Sequence, residues 1–169
     1  MALPADLQTD TELWSFALSC WQKPGVAPAC LSLQQQGWSV TRILCAAWLA
    51  NQHRTYTGLE AVTVTEWRNR VTGALREIKR TLPKESETCH DLRAGVARLE
   101  LEAERVELAL AWQTLNIETE EPAMQDRNIL IIGNLTAAAP CADSAQAAAS
   151  GIHQLASALA FSHPGAHST

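Results

Sequence analysis

The sequence predicts an all-α protein: a compact helical bundle with a long antiparallel helix hairpin and an alanine-rich C-terminal extension. Capping-box patterns occur at residues 9–12 and 63–66, each just before an apolar periodic segment. Over residues 67–82 apolar side chains recur at spacings of four, four, three and four, which is the period of one helix face. Because no segment alternates convincingly like a strand, these observations favour a purely helical fold.

Size and composition indicate a folded protein with one main domain. The chain has 169 residues, a hydrophobic fraction of 47% and a formal net charge of −5, which argues against intrinsic disorder. We expect a helical bundle domain over 9–118 and a linker with an alanine-rich extension over 119–169. The N-terminus lacks secretory features, and the apolar run 43–50 is far shorter than the ~20 residues that span a bilayer. We therefore expect a cytoplasmic protein without a membrane partner.

Three short helices are expected near the N-terminus. The first follows the capping box and extends to about residue 22. The second lies between Pro28, which suits a first helical turn, and Gly37, which suits the position after a helix end. Ser39 can cap a third helix that extends to about residue 52 and is apolar on nearly all sides. Such a helix belongs in the centre of a bundle.

The predicted hairpin is formed by the next two helices. The first covers 67–82 and ends at Pro83, and the second covers 87–117. Further along the chain, 129–132 is too short to assign, and an apolar face that includes Leu155 predicts a modest terminal helix. The second hairpin helix has a heptad-like seam, formed by Cys89, Leu92, Val96, Leu99, Ala103, Val106 and Leu110.

A run of basic residues is the sharpest charge feature. Residues 68–84 carry a net charge of +5, whereas 91–121 carry −5. The basic run either contacts phosphate in RNA or a nucleotide, or forms a solvated face that the acidic helix partly neutralises. Aromatic residues do not alternate with the basic residues of this run, which disfavours a stacking platform for single-stranded RNA. The candidate residues for contact with a partner or phosphate are Arg68, Arg70, Arg76, Lys79, Arg80 and Trp38.

The six tryptophans are unusual beside one tyrosine and two phenylalanines. Most fall on helical stripes, where core packing is the default, although a tryptophan-lined pocket for a small molecule stays open. Trp38 stands between Gly37 and Ser39, so its ring is either a staple onto the next helix or an exposed anchor. We favour the staple.

The residue patterns do not predict catalysis. Cys89 and His90 are adjacent, but neighbours on a helix point about 100° apart and do not form a dyad. The five histidines lack metal-ligand spacing, and the sequence contains no phosphate-binding loop, dinucleotide fingerprint or nucleophile elbow. We expect no catalytic residue, no metal ligand and no cofactor.

Several motifs resemble those of a known family. They begin at Leu13 (LWSFAL), Pro24 (PGV), Ala29 (ACLSLQ) and Leu44 (LCAAWLA). Over 13–84 the chain is similar to DUF2390, a family of small proteobacterial proteins of unknown function. The resemblance implies a cytosolic partner connected with translation, because members are encoded near an ABC-F type translation ATPase.

The chain departs from that family pattern at two places. The pattern has an acid where this chain has Gln35, and Asp-Val-Asn where it has Ser39, Val40 and Thr41. If an acidic pair performs chemistry in relatives, this chain lacks it.

These features together favour a non-enzymatic cytosolic helical module that binds another protein as an adaptor or regulator. An RNA- or nucleotide-binding protein that uses the basic run 68–84 is one alternative. A small-molecule enzyme with a tryptophan-lined pocket is another.

Overall fold

The computed structural model describes residues 3–115 and 124–160, and all regular secondary structure within these ranges is helical. The all-α prediction is therefore confirmed for this part of the chain. The α-helices are α1 (Glu12–Trp21), α2 (Val26–Gln35), α3 (Val40–Asn51), α4 (Val62–Trp67), α5 (Gly73–Thr81), α6 (Glu87–Leu115), α7 (Arg127–Ala137), α8 (Ala142–Ala147) and α9 (Ala149–Leu159), and a π-helical turn (Arg68–Thr72) joins α4 to α5.

The described residues group into two compact units. The first holds 3–15 and 59–115, and the second holds 16–58 and 124–160. This grouping differs from the predicted division at residue 118, because it places the described part of the C-terminal segment with α2 and α3. The linker predicted around 118–122 lies outside the described residues.

Helix starts follow the predicted chemistry at one of three caps. The Ser39 hydroxyl accepts from the Arg42 backbone N–H at 3.3 Å, as predicted for the start of α3. The cap expected at residue 9 is wrong, because the Thr11 hydroxyl, directly before α1, accepts from the Trp14 N–H at 3.1 Å. The second box is also wrong: α4 starts at Val62, after a cap residue that cannot accept through its side chain.

In the first unit α5 and the π-helical turn pack against α6. The predicted continuous helix over 67–82 is interrupted, because the π-helical turn inserts one extra residue into the helical phase. The indole N–H of Trp67 donates to the Ala103 carbonyl at 2.9 Å and fixes α4 on α6. Helix α6 starts at Glu87 as predicted, and the last two residues of its predicted span lie outside the described residues.

The second unit is built around α3. Every side chain from Ile43 to Ala50 is buried, which fits a helix that is apolar on all sides. Helix α7 packs against α3, and α9 packs against α2 and α7. The apolar face predicted for the terminal helix is buried, with Ile152, Leu155 and Leu159 each at most 3% exposed. The C-terminal helices therefore contribute to the core of this unit.

Asn134 connects α7 to the segment after α3. Its amide nitrogen donates to the carbonyls of Ala46 and Arg54 at 3.1 and 2.9 Å, and its oxygen accepts from the Tyr56 N–H at 2.9 Å. The side chain is buried, so all of its hydrogen-bonding groups except one lone pair are satisfied inside the protein.

Gly58 allows the same segment to approach the C-terminal end of α7. It has a positive φ of 78°, and a Cβ atom there would lie 2.5 Å from the Ala137 carbonyl oxygen. The guanidinium of Arg42 donates to the Ala137 and Ala138 carbonyls at 3.1 and 3.0 Å and caps the end of that helix. A side chain at residue 58 would collide with this cap.

Candidate functional site

The basic run lies along the side of the first unit where the π-helical turn and α5 face α6. Arg68 occupies the start of the π-helical turn, and its Nε donates to the Glu107 carboxylate at 2.7 Å. Its Nη1 donates to Glu60 at 2.8 Å. The Thr72 hydroxyl donates to the second Glu107 oxygen at 2.9 Å. Both carboxylate oxygens of this buried glutamate are therefore engaged.

The charges in this cluster stabilise one another against burial. Desolvation opposes the charged form of Arg68, but the hydrogen bond to Glu60 and the charges of Glu107 and Glu60 outweigh it and raise the pKa of the guanidinium. Arg68 therefore stays protonated at any pH at which the protein is folded.

A second cluster lies further along α5. Arg76 donates through Nε to Glu100 at 3.0 Å and through Nη2 to Glu104 at 2.6 Å, and Lys79 pairs with Glu100 as well. Burial raises the pKa of the Glu104 carboxyl, and the hydrogen bond and charge of Arg76 partly offset that rise. The acidic residues of α6 therefore neutralise three of the five basic candidates.

The remaining candidates are separate from these clusters. Arg70 and Arg80 are exposed, and Arg80 forms an exposed ion pair with Glu77 at 3.0 Å. Trp38 belongs to the second unit and is only 3% exposed, so its ring packs inside that unit, as the staple would. The five basic candidates therefore do not form one exposed site.

Three large apolar side chains on the same hairpin are exposed to solvent. Ile78 of α5 is 48% exposed, and Leu92 and Leu99 of α6 are 56% and 58% exposed. Exposed aliphatic side chains on two helices that pack together are a candidate contact surface, as exposed apolar patches are in soluble proteins. We call these three residues the hairpin face.

The hairpin face is not among the sites that the sequence predicts. The predicted seam includes Leu92 and Leu99, whereas the buried side of α6 carries Val96, Glu100, Ala103 and Glu107. The charges contain a signal for this orientation, because α6 can neutralise the basic residues of α5 only if its acidic residues face α5. Leu92 and Leu99 each come one position before a residue that contacts α5, Arg93 and Glu100, and they therefore point away from that contact.

The surroundings of three cysteines shift their thiol pKa values in different directions. Burial raises the pKa of Cys20 to about 11 and that of Cys30 to about 12. Cys141 is exposed, and hydrogen bonds from Ser144 lower the pKa of its thiol. Within the described ranges no group of three or more histidine, cysteine, aspartate or glutamate residues could hold a metal ion.

One groove in the second unit bears on the idea of a tryptophan-lined pocket. It measures about 720 Å³ and lies between α7, α8 and α9. Its lining residues include five alanines together with Ile132 and Ile152, and none of them is tryptophan. This groove therefore does not correspond to the tryptophan-lined pocket of the alternative interpretation.

The fold and the clusters define an all-α protein with a helical hairpin held by internal ion pairs and an apolar outer face. The chain belongs to the family described as "Protein of unknown function (DUF2390)", whose model matches residues 12–110. The match extends from the start of α1 through most of α6 and includes both charged clusters. Neither the curated proteins nor the solved structures contain a significant match. In 3–115 and 124–160, no helix is both long and apolar enough to cross a membrane.

Proposed function

We propose that this protein is a non-enzymatic interaction module, an adaptor or regulator of the bacterial cytoplasm, and that the hairpin face is its contact surface. The observation that carries the proposal is the contrast between two sides of one hairpin. Arg76 and Lys79 of α5 are paired with carboxylates of α6, whereas large aliphatic side chains on the same two helices are exposed. A protein partner gains free energy by covering such a surface.

The charged clusters argue against RNA as the main partner. A phosphate could engage Arg68 or Arg76 only if it displaced carboxylates that are 2.6 to 3.0 Å away, which would leave buried acids without their partners. Arg70 and Arg80 stay exposed, but two basic side chains provide only a small counterion-release contribution.

The test is capture of partners by the full-length tagged protein from nuclease-treated lysate of its own cells. Its main variant is Leu92→Glu with Leu99→Glu, and its control is Leu101→Glu, because Leu101 is 51% exposed on a different face of α6. We expect a partner that survives nuclease, is lost with the double variant and is retained with the control. Nuclease-sensitive binding, or binding that the double variant retains, would contradict the proposal.

A direct RNA measurement complements this test. We expect weak binding of purified protein to RNA, with little change when Arg68, Arg76 and Arg80 are all replaced by Gln. Tight RNA binding that falls steeply with salt and is lost in this triple variant would instead establish the basic run as a phosphate-binding surface.

A further inference from the structure

We propose that the ion pairs between α5 and α6 form a proton-binding device, and that a single proton taken up by Glu104 tightens the hairpin in mildly acidic solution. This role goes beyond the proposed function and holds whichever partner covers the hairpin face. Its basis is the unequal sharing of hydrogen-bond donors among three acids of α6.

Three carboxylates form a row on the side of α6 that faces α5 and the π-helical turn. Glu100, Glu104 and Glu107 are four and three residues apart, which places them on one side of the helix. Like charges at this spacing repel each other. The side chains of Glu100 and Glu107 are at most 9% exposed and that of Glu104 is 30% exposed. Water therefore screens this repulsion less than it would on an open surface.

The donors that face this row are shared unequally. The two outer acids have a donor at each carboxylate oxygen, Arg76 and Lys79 for Glu100, and Arg68 and Thr72 for Glu107. Glu104 accepts through Oε1 from Nη2 of Arg76 at 2.6 Å, and the Nε of the same guanidinium donates to Glu100 at 3.0 Å. Within 3–115 and 124–160, its Oε2 has no donor. The middle acid of the row is thus the one with the least compensation.

The other charged groups around α6 leave this shortage in place. The elements that pack against α6 are α4, the π-helical turn and α5. Their charged side chains are Glu66, Arg68, Arg70, Arg76, Glu77, Lys79 and Arg80. Among these, Arg76 is the group that donates to Glu104. Arg105, the next residue of α6, instead pairs with Asp10 and Glu102.

The shortage of compensation gives the folded protein a higher proton affinity. Burial and the negative charges of Glu100 and Glu107 raise the pKa of Glu104 above its ordinary 4.5, and Arg76 offsets only part of that rise. The folded protein therefore holds a proton that the unfolded chain has already lost. The stabilisation by this proton is fully present below pH 4.5 and is lost as the pH rises through the raised pKa.

Protonation changes the contacts of Glu104 in the direction of a tighter hairpin. A neutral carboxyl group keeps an acceptor oxygen for Arg76 and gains an O–H donor at the second oxygen. Glu100 and Glu107 then have an uncharged neighbour in place of a third negative charge. Because the ion pair of Arg76 with Glu100 joins α5 to α6, relief of this repulsion stabilises the contact between the two helices.

The decisive experiment is urea unfolding of the full-length chain at several pH values from 8 to 5, with Glu104→Gln as the main variant. Glutamine has the shape of the protonated acid and carries no charge, so we expect a higher urea midpoint than that of the wild type at pH 8. The difference should shrink towards pH 5, because the wild type then holds the proton itself. For each unit by which folding raises the pKa, the ratio of folded to unfolded protein at pH 8 should differ about tenfold.

Glu100→Gln is the matched control, since it makes the same change on the same row. Its charge has donors from two cations, so we expect this variant to have a lower urea midpoint than the wild type at pH 8. Carbon-13 NMR of the Glu104 carboxyl, assigned by its absence in Glu104→Gln, provides a direct second measurement. We expect this signal in the wild type to titrate above 4.5.

Three results would overturn the proposal. The first is a Glu104→Gln variant that is no more stable than the wild type at pH 8. The second is a difference between these two proteins that stays constant with pH. The third is a Glu104 carboxyl signal that titrates at or below 4.5. Capture of a protein by the hairpin face is measured separately, and its success or failure leaves these results unchanged.

Discussion

Glu107 is 2% exposed, yet both of its carboxylate oxygens have partners. A buried carboxylate is costly unless opposite charge and hydrogen bonds compensate for lost solvation. Arg68 supplies the charge and Thr72 the second hydrogen bond, and both come from the π-helical turn. This single side chain thus ties the π-helical turn to α6.

Replacement of Glu107 by Ala should destabilise the protein by about 3–5 kcal/mol, because Arg68 would stay buried with only part of its compensation. The measurement is the free energy of unfolding from urea titration. The control is Glu102→Ala on the same helix, whose side chain is 68% exposed and which should change stability by less than about 1 kcal/mol. Equal changes in the free energy of unfolding would show that the buried cluster stabilises the protein no more than an exposed ion pair does.

The buried thiols make stability depend on alkaline pH. Folding raises the pKa of Cys20 to about 11 and of Cys30 to about 12 from the ordinary 9.0, so the folded protein keeps protons that the unfolded chain loses. Their stabilising contribution is fully present below pH 9 and is lost as the pH rises through 11 and 12.

We expect the free energy of unfolding to fall by up to about 1.4 kcal/mol per pH unit per thiol above pH 9. Urea titrations at pH 8 and pH 10.5 measure the fall. The variant with Cys20→Ala and Cys30→Ala should show a smaller fall than the wild type, whereas Cys141→Ala, at an exposed thiol, should keep the wild-type slope. An identical slope in all three proteins would refute this source of alkaline instability.

At the scale of elements, the π-helical turn decides which side chains face α6. One extra residue in a helix shifts the phase of everything before it by about 100° relative to everything after it. This shift lets Trp67 before it and Arg76 after it both contact α6. A regular helix would turn one of these two away.

Deletion of Asn69, which is exposed within this turn, should therefore restore a regular helix and misalign its two ends on α6. We expect loss of several kcal/mol of stability, comparable with the loss of a buried pair, measured by urea unfolding. The substitution Asn69→Ala keeps the residue count and should stay within about 0.5 kcal/mol of the wild type. A stable deletion variant would show that the extra residue has no role in alignment.

The sequence predicts an element correctly where its own periodicity determines the structure. It does not predict an element whose conformation depends on contacts with another helix. The apolar spacing over 67–82 identified a helical segment, and the apolar character of α3 on nearly all sides identified a central helix. The π-helical turn left no trace in that spacing, because contacts with Glu107 on another helix select it. Opposite charges predicted that the hairpin helices could neutralise each other, but not which base meets which acid.

At the scale of the whole molecule, the alanine-rich segment proves to be part of a core. The sequence of this segment predicts only a small contribution to a core, because each alanine side chain buries little apolar area. The structure adds a face of large residues, with Ile152, Leu155 and Leu159 buried in the second unit. These three side chains, rather than the alanines around them, make the segment part of the core.

Truncation after Pro140 should accordingly lower the melting temperature by about 10–20 °C, because three large apolar side chains lose their burial. Thermal unfolding followed by circular dichroism measures the change. The full-length control carries His153→Ala and Gln154→Ala, both exposed on α9, and should melt within a few degrees of the wild type. An unchanged melting temperature after truncation would support the sequence prediction that this segment is an extension outside the core.

The bond from Arg42 to the Ala138 carbonyl joins residues 96 positions apart in the sequence, and most of the first unit is encoded between them. At the ~5–20 residues per second of protein synthesis, α3 leaves the ribosome roughly 5–20 seconds before α7 can cover it. The hairpin has partners less than 40 residues apart and can form in that interval. A nascent chain paused before residue 127 therefore presents a helix that is apolar on all sides, the kind of segment that holding chaperones bind.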